Sequence, residues 1–264
     1  MINKIEAIYH YKDFIFNSIK REFKSRYQTS MLGAVWLVLQ PLAMIIVYTV
    51  IFSEVMKARM PDNTGAFAYS IYLCSGLLTW GFFSEIVIRL INIFIENGNY
   101  LKKINFPRIC LPIIAVGISF VNFLIIFSLY LIFLIISGNF PGVEFFAIIP
   151  LLILQVLFAM GLGLTLGVLN VFFRDVGQFM AIVMQFWFWF TPIIYLVSII
   201  PLWAREWLML NPMSGVILGY QNIFLYHKFP VWSDLIIVSV LAILFNVLAY
   251  FLYKKHAGEM VDEL

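Results

Sequence analysis

The chain has 264 residues, of which 63% are hydrophobic and only 12% charged, with a formal net charge of +3 and a mean hydropathy of +0.96. A water-soluble domain of this length needs far more charge to cover its surface, so the composition excludes one and points to a bilayer. No basic groove-sized cluster with interleaved aromatics occurs, which argues against nucleic acid as a partner.

Taken in chain order, the first thirty residues carry Lys4, Glu6, Lys12, Asp13, Lys20, Arg21, Glu22, Lys24 and Arg26, so no cleaved signal is expected ahead of the first apolar run. Ile5, Ile8, Ile15, Ile19 and Phe23 recur at helical spacing, predicting an amphipathic helix over 1–30 that lies in the cytoplasmic interface. Six apolar runs follow, at 31–53, 66–95, 109–137, 143–170, 177–199 and 232–253. Each meets the ~20 residues needed to span a hydrocarbon core of ~30 Å. The fold class expected is therefore an all-α integral membrane protein with six transmembrane helices, forming one transmembrane domain over 1–264.

Within the second run, Glu85 and Arg89 stand four apart on one helical face. They read either as a polar lining or anchor to a neighbouring helix, or as a self-neutralising structural ion pair. Asn139, Pro141 and Gly142 mark a short turn, predicting that the third and fourth spans form an antiparallel hairpin. In the fourth run, Gly161, Gly163 and Gly167 suit close helix packing rather than a phosphate loop. The segment 200–231 is broken by Pro201, Pro212 and Gly215 yet rich in apolar residues, including Trp203 and Trp207, that require burial. It is expected to be a re-entrant or gate element whose backbone breaks are satisfied by protein. A cytoplasmic tail occupies 254–264.

Orientation follows from the basic residues. With an even number of spans, Lys4, Lys12, Lys20, Arg21, Lys24, Arg26, Lys102, Lys103, Arg108, Arg174, Lys254 and Lys255 share one side. Lys57, Arg59, Arg205 and Lys228 share the other. Twelve against four makes the first side, with both termini, cytoplasmic. Trp36, Tyr69, Trp203, Trp207, Trp232, Tyr250 and Tyr253 lie near run ends, as interfacial belts require. His10, His227 and His256 are distant in sequence, and Cys74 and Cys110 sit in apolar surroundings, so no metal or catalytic cluster is expected.

Specific strings carry a resemblance. Residues Lys20 to Tyr27 (KREFKSRY), then Ser30 to Trp36 and Gln40-Pro41-Leu42, resemble the approach to the first span in bacterial polysaccharide-export ABC permeases. These are the membrane subunits of type-2 ABC exporters for O-antigen, capsule or teichoic acid. Residues Asn97 to Arg108, then Leu111-Pro112, are similar to the cytoplasmic coupling segment of that family, and Asn170 to Val176 to the turn after its fourth span. Thr191 to Tyr195 and Leu210 to Met213 resemble the outer part of its fifth span and its periplasmic gate.

The resemblance implies a homodimer in the bacterial inner membrane, two separate ATP-binding cassette subunits, a lipid-linked glycan as substrate, and surrounding membrane lipid. ATP and Mg²⁺ would sit on the partner, with no cofactor and no metal on this chain and no catalytic residue. Coupling to the ATPase falls to Tyr100, Leu101, Lys102, Lys103, Phe106, Pro107, Arg108, Arg174 and Asp175. The substrate path falls to Tyr48, Phe52, Phe186, Phe190 and Tyr195, since aromatic rings stack on the apolar faces of sugars. The gate falls to Pro201, Trp203, Asn211 and Pro212. Alternatives stay open: the same fold moving a small hydrophobic compound, a membrane-embedded glycosyl- or acyltransferase, or a non-transporting scaffold.

Overall fold

The computed structural model describes residues 11–28, 67–98 and 109–263, together with a few positions between 35 and 47. Among the described residues all regular structure is helical. The elements are α1 (Lys12–Gln28), α2 (Ala68–Glu96), α3 (Cys110–Ile136), α4 (Ile148–Phe172), α5 (Asp175–Trp189), α6 (Leu202–Met209), α7 (Pro212–Phe224), α8 (Ile236–His256) and α9 (Glu259–Glu263). Short 3-10 turns, Val143–Ala147 and Trp232–Leu235, lead into α4 and α8.

Four of these segments are long and apolar enough to cross a membrane: Ala68–Glu96, Cys110–Ile136, Val143–Phe172 and Trp232–His256. They match four of the six predicted runs. The run at 31–53 lies outside the described residues for almost its whole length. The run at 177–199 is corrected, because its helix stops at Trp189 and the chain then turns. Pro192 supplies the reason. A proline disfavours helical geometry in the residue before it, and its ring collides with the carbonyl four residues back. Pro192 therefore contributes to ending the helix.

The core is a ridge of α4 held between α2 and α8. The glycines of α4 make this possible. A methyl on Gly163 would lie 2.7 Å from Leu90 Cβ, and one on Gly167 2.5 Å from the Leu90 carbonyl oxygen, both on α2. A methyl on Gly161 would lie 2.7 Å from the Asn246 amide nitrogen on α8. Backbones that approach this closely gain dispersion contacts that lipid cannot supply, which is how helices associate in a bilayer. Side-chain hydrogen bonds to backbone carbonyls lace the same seams: Gln155 Nε2 donates to Thr79 (2.8 Å), Thr165 Oγ1 to Phe245 (3.1 Å) and Asn246 Nδ2 to Leu157 (2.7 Å).

α3 packs on α2, and α1 packs in turn on α3. The connection from α3 to α4 is short, as expected; α3 packs mainly on α2, whereas α4 packs on both α8 and α2. Gly138, at φ +71°, ends α3 in a left-handed cap, with Asn139 N–H on Leu134 O (2.9 Å) and Gly138 N–H on Ile135 O (3.1 Å). Within the stretch 1–30 read as amphipathic, the described helix is α1, and its Ile15 and Ile19 pack with Cys110, Ile114 and Ile118 of α3. Tyr69, read from sequence as an interfacial aromatic, is buried at 3% exposure, whereas Trp203 and Trp207 are each 73% exposed.

Gly167→Ala should lower the thermal stability of the detergent-solubilised protein by several degrees, because α2 and α4 must separate to admit the methyl. Gly81→Ala, at a helical position with nothing within 4 Å, should leave stability unchanged or raise it slightly. A fluorescence thermal melt of both variants checks this.

Candidate functional site

The end of α5 and the loop behind it form the most heavily cross-braced part of the described structure. Beyond Trp189 the backbone is no longer helical, and its carbonyls need partners from elsewhere. They have them. Phe190 O accepts from Asn211 Nδ2 (3.0 Å), Pro192 O from Gln221 Nε2 (3.0 Å) and Ile194 O from Tyr69 OH (2.8 Å). Tyr72 OH shares its proton between Tyr195 O (2.8 Å) and Pro192 O (3.1 Å), and Tyr195 OH turns back onto Trp189 O (3.1 Å).

Asn211 is the pivot. It caps α7, accepting from Met213 N–H (3.0 Å) with Pro212 at the first helical position, where a missing amide costs nothing. The same Oδ1 accepts from Trp187 Nε1 (2.8 Å), and Nδ2 also reaches Thr191 Oγ1 (2.9 Å). The Trp187 ring joins a buried aromatic nest, edge-on to Trp80 (6.0 Å), Phe83 (5.5 Å) and Phe158 (6.3 Å). One asparagine thus ties α7 to both α5 and the break. α7 itself is deeply buried, with Met213, Val216, Ile217 and Ile223 fully enclosed, while α6 stays on the surface with Trp203 and Trp207 outward. Pro201 begins α6, its carbonyl accepting from Ala204 and Arg205 N–H.

The outward face of α5 has a distinct chemistry. Phe179, Phe186 and Phe190 are 64%, 61% and 70% exposed, and share one face as their spacing predicts. Gln178 and Gln185 are exposed beside them. These two glutamines, seven residues apart and so on one stripe, escaped the sequence reading, although paired amides inside an apolar run are the signal that finds them. Tyr195 is half-buried beneath this face, engaged in the brace described above. Tyr48 and Phe52 lie outside the described residues.

At the opposite end of α5, Asn170 organises the turn from α4. Its Nδ2 donates to Ile91 O (3.1 Å) and its Oδ1 accepts from Gly177 N–H (2.9 Å). The turn projects Phe173, Arg174 and Asp175, all exposed. Tyr100, Leu101, Lys102, Lys103, Phe106, Pro107 and Arg108 lie outside the described residues. On the same side of the bundle, Arg89 donates from Nε to Glu85 (2.9 Å) and from Nη1 to Glu22 of α1 (3.0 Å), while Asn122 Nδ2 of α3 donates to Glu85 (2.7 Å). The pair is therefore an anchor between helices, joining α1, α2 and α3. Glu22 and Asn122 were not foreseen as its partners, and neither were Gln221 and Tyr72 as braces.

Fold and site together define a helical membrane protein whose broken fifth helix presents an aromatic and amide face. Residues 14–225 match the family described as ABC-2 type transporter, and the chain belongs to that family. It is accordingly a membrane component of a transporter rather than an enzyme, and membership implies an ATP-binding partner. Among its relatives, the O-antigen export system permease protein RfbA of Klebsiella pneumoniae is 30% identical over 246 residues, covering 90% of this chain and 93% of that protein. The RfbA protein of Myxococcus xanthus is 27% identical over 266 residues, covering both chains completely. The polysialic acid transport protein KpsM of Escherichia coli is 22% identical over 198 residues, 75% of each chain.

Asn211→Ala removes four hydrogen bonds, one of them the helix cap, which should cost roughly 2–4 kcal/mol of unfolding free energy. Trp187→Phe removes one of those bonds and part of a ring, and should cost less. Reversible denaturation of the purified variants measures both, and equal losses would remove Asn211 from its pivotal position.

Proposed function

We propose that this chain is the membrane-spanning subunit of an ATP-driven exporter of a lipid-linked polysaccharide, with O-antigen as the leading substrate. The observation that carries the proposal is the exposed α5 face, where Phe179, Phe186 and Phe190 lie beside Gln178 and Gln185. Rings stack on the apolar faces of sugars and amides hydrogen-bond their hydroxyls, whereas a lipid-facing surface has no use for two glutamines. The same amides disfavour a small hydrophobic compound as cargo. Relatives named for O-antigen export over nearly the whole chain support the substrate class.

In this reading two copies pair so that their α5 faces line a path between them. Six spans result, counting the segment 31–53 and the shortened α5, with both termini cytoplasmic in the bacterial inner membrane. The segment 200–231 is a periplasmic gate, α7 tucked into the bundle and α6 lying across its mouth, with Pro201, Trp203, Asn211 and Pro212 setting its geometry. ATP and Mg²⁺ bind the partner subunits. Their strokes enter through Tyr100 to Arg108 and through the Arg174-Asp175 turn, then pass along α5 to the brace at its far end.

Replacing Phe186 and Phe190 together with alanine should reduce glycan export in cells while sparing assembly with the ATP-binding subunit. Leucine at both positions keeps apolar volume but removes the ring faces, each worth ~0.5–1.5 kcal/mol. Export should fall about fivefold or more in the leucine variant. Wild-type export there would contradict stacking on this face.

A further inference from the structure

A separate cleft opens at the opposite end of α2 from the brace. Between α1 and the facing ends of α2 and α3 lies a cavity of about 660 Å³, in the range of roughly 300–1,000 Å³ that holds small ligands. Its lining is of two kinds. Leu111, Ile114 and Ile118 of α3 line it with aliphatic side chains, and Arg21 and Glu22 of α1 with Arg89 and Glu96 of α2 line it with charged ones. A cavity with both kinds of lining suits an amphiphile, which has an apolar chain and a polar headgroup.

The charges specify the headgroup. Arg89 and Glu22 already satisfy one another at 3.0 Å. Arg21 and Glu96 make no ion pair or hydrogen bond among the described residues. Glu96 instead lies within electrostatic range of Glu22, a like charge, as well as of Arg89. What the cleft leaves open is one guanidinium and one carboxylate, so the complementary ligand carries one anion and one cation.

We infer that this cleft binds a zwitterionic phospholipid with a primary ammonium headgroup, its phosphate on Arg21 and its ammonium on Glu96. Phosphatidylethanolamine has that chemistry. Phosphatidylcholine has the charges but no N–H to donate, and phosphatidylglycerol has no cation. A polyprenyl diphosphate, the kind of anchor a lipid-linked glycan would bring, adds two negative charges beside Glu22 and Glu96. The bound lipid would hold α1 against the bundle in addition to the Glu22–Arg89 bridge. The inference rests on α1 lying at the bilayer surface, and not on the identity of the exported cargo.

Native mass spectrometry of the full-length chain tests it, titrating phosphatidylethanolamine, phosphatidylcholine, phosphatidylglycerol and undecaprenyl diphosphate separately. Phosphatidylethanolamine should bind about tenfold tighter than the other three, the worth of one charge-assisted hydrogen bond. Glu96→Gln should abolish that preference, and Glu96→Asp, which keeps the charge, should retain most of it. Arg21→Gln should weaken all phosphate-bearing lipids alike. Equal binding of the phospholipids, tighter binding of the diphosphate, or a preference untouched by Glu96→Gln would overturn the assignment. None of these readouts involves glycan export, so this inference and the cargo reading fail independently.

Discussion

A broken helix inside a bilayer has backbone carbonyls that neither its own amides nor water can satisfy, and each one left orphaned costs several kcal/mol. That constraint governs the far end of this molecule. Between Trp189 and Tyr195 the chain stops being helical, and side chains from three places meet its carbonyls: Tyr69 and Tyr72 of α2, Asn211 at the start of α7, and Gln221 within α7. The need for these donors explains other features. α7 must be buried for Gln221 to reach Pro192, and the glycines of α4 let the bundle around α2 close tightly. The aromatic nest about Trp187 then holds its indole N–H in line with Asn211.

The proposed substrate path is what this bracing leaves exposed. With the carbonyls of Phe190, Pro192, Ile194 and Tyr195 held by side chains, the outward face of α5 presents rings and amides at fixed spacing. A transporter of polymers benefits from such a surface, since stacking is tolerant of sequence and weak enough per ring to allow passage. At the other end, the Asn170 turn and the three-helix Arg89 network give the bundle firm points of attachment. In the proposed reading, a push delivered there by the ATP-binding partner is carried by packed helices rather than lost in a loose turn.

Much of this was legible in the sequence because the bilayer imposes simple rules. Length and apolarity alone located α2, α3, α4 and α8, and the small-residue spacing of Gly163 and Gly167 signalled their close seam. The ordered strings pointed to the transporter family to which the chain belongs. Partnerships were less legible. Glu85 and Arg89 were visible as a pair, but their links to Glu22 and Asn122 depend on which helices are neighbours, which periodicity does not encode. Tyr69 looked like a belt aromatic, and Gln221 drew no reading at all, until the break at Pro192 supplied their acceptors. The short connection between α3 and α4 likewise fixes the proximity of their ends but not their main packing partners.

The central claim is that the break in α5 is held by shared, buried donors, and Pro192 offers the most direct measurement. Its carbonyl accepts from both Tyr72 and Gln221. In a double-mutant cycle of unfolding free energies, either Tyr72→Phe or Gln221→Leu leaves Pro192 one donor, whereas the double variant leaves it none. The account predicts that the double variant is destabilised beyond the sum of the singles by about 1 kcal/mol or more, the cost of the orphaned carbonyl. Strictly additive losses would contradict it, showing that the turn is kept by packing alone.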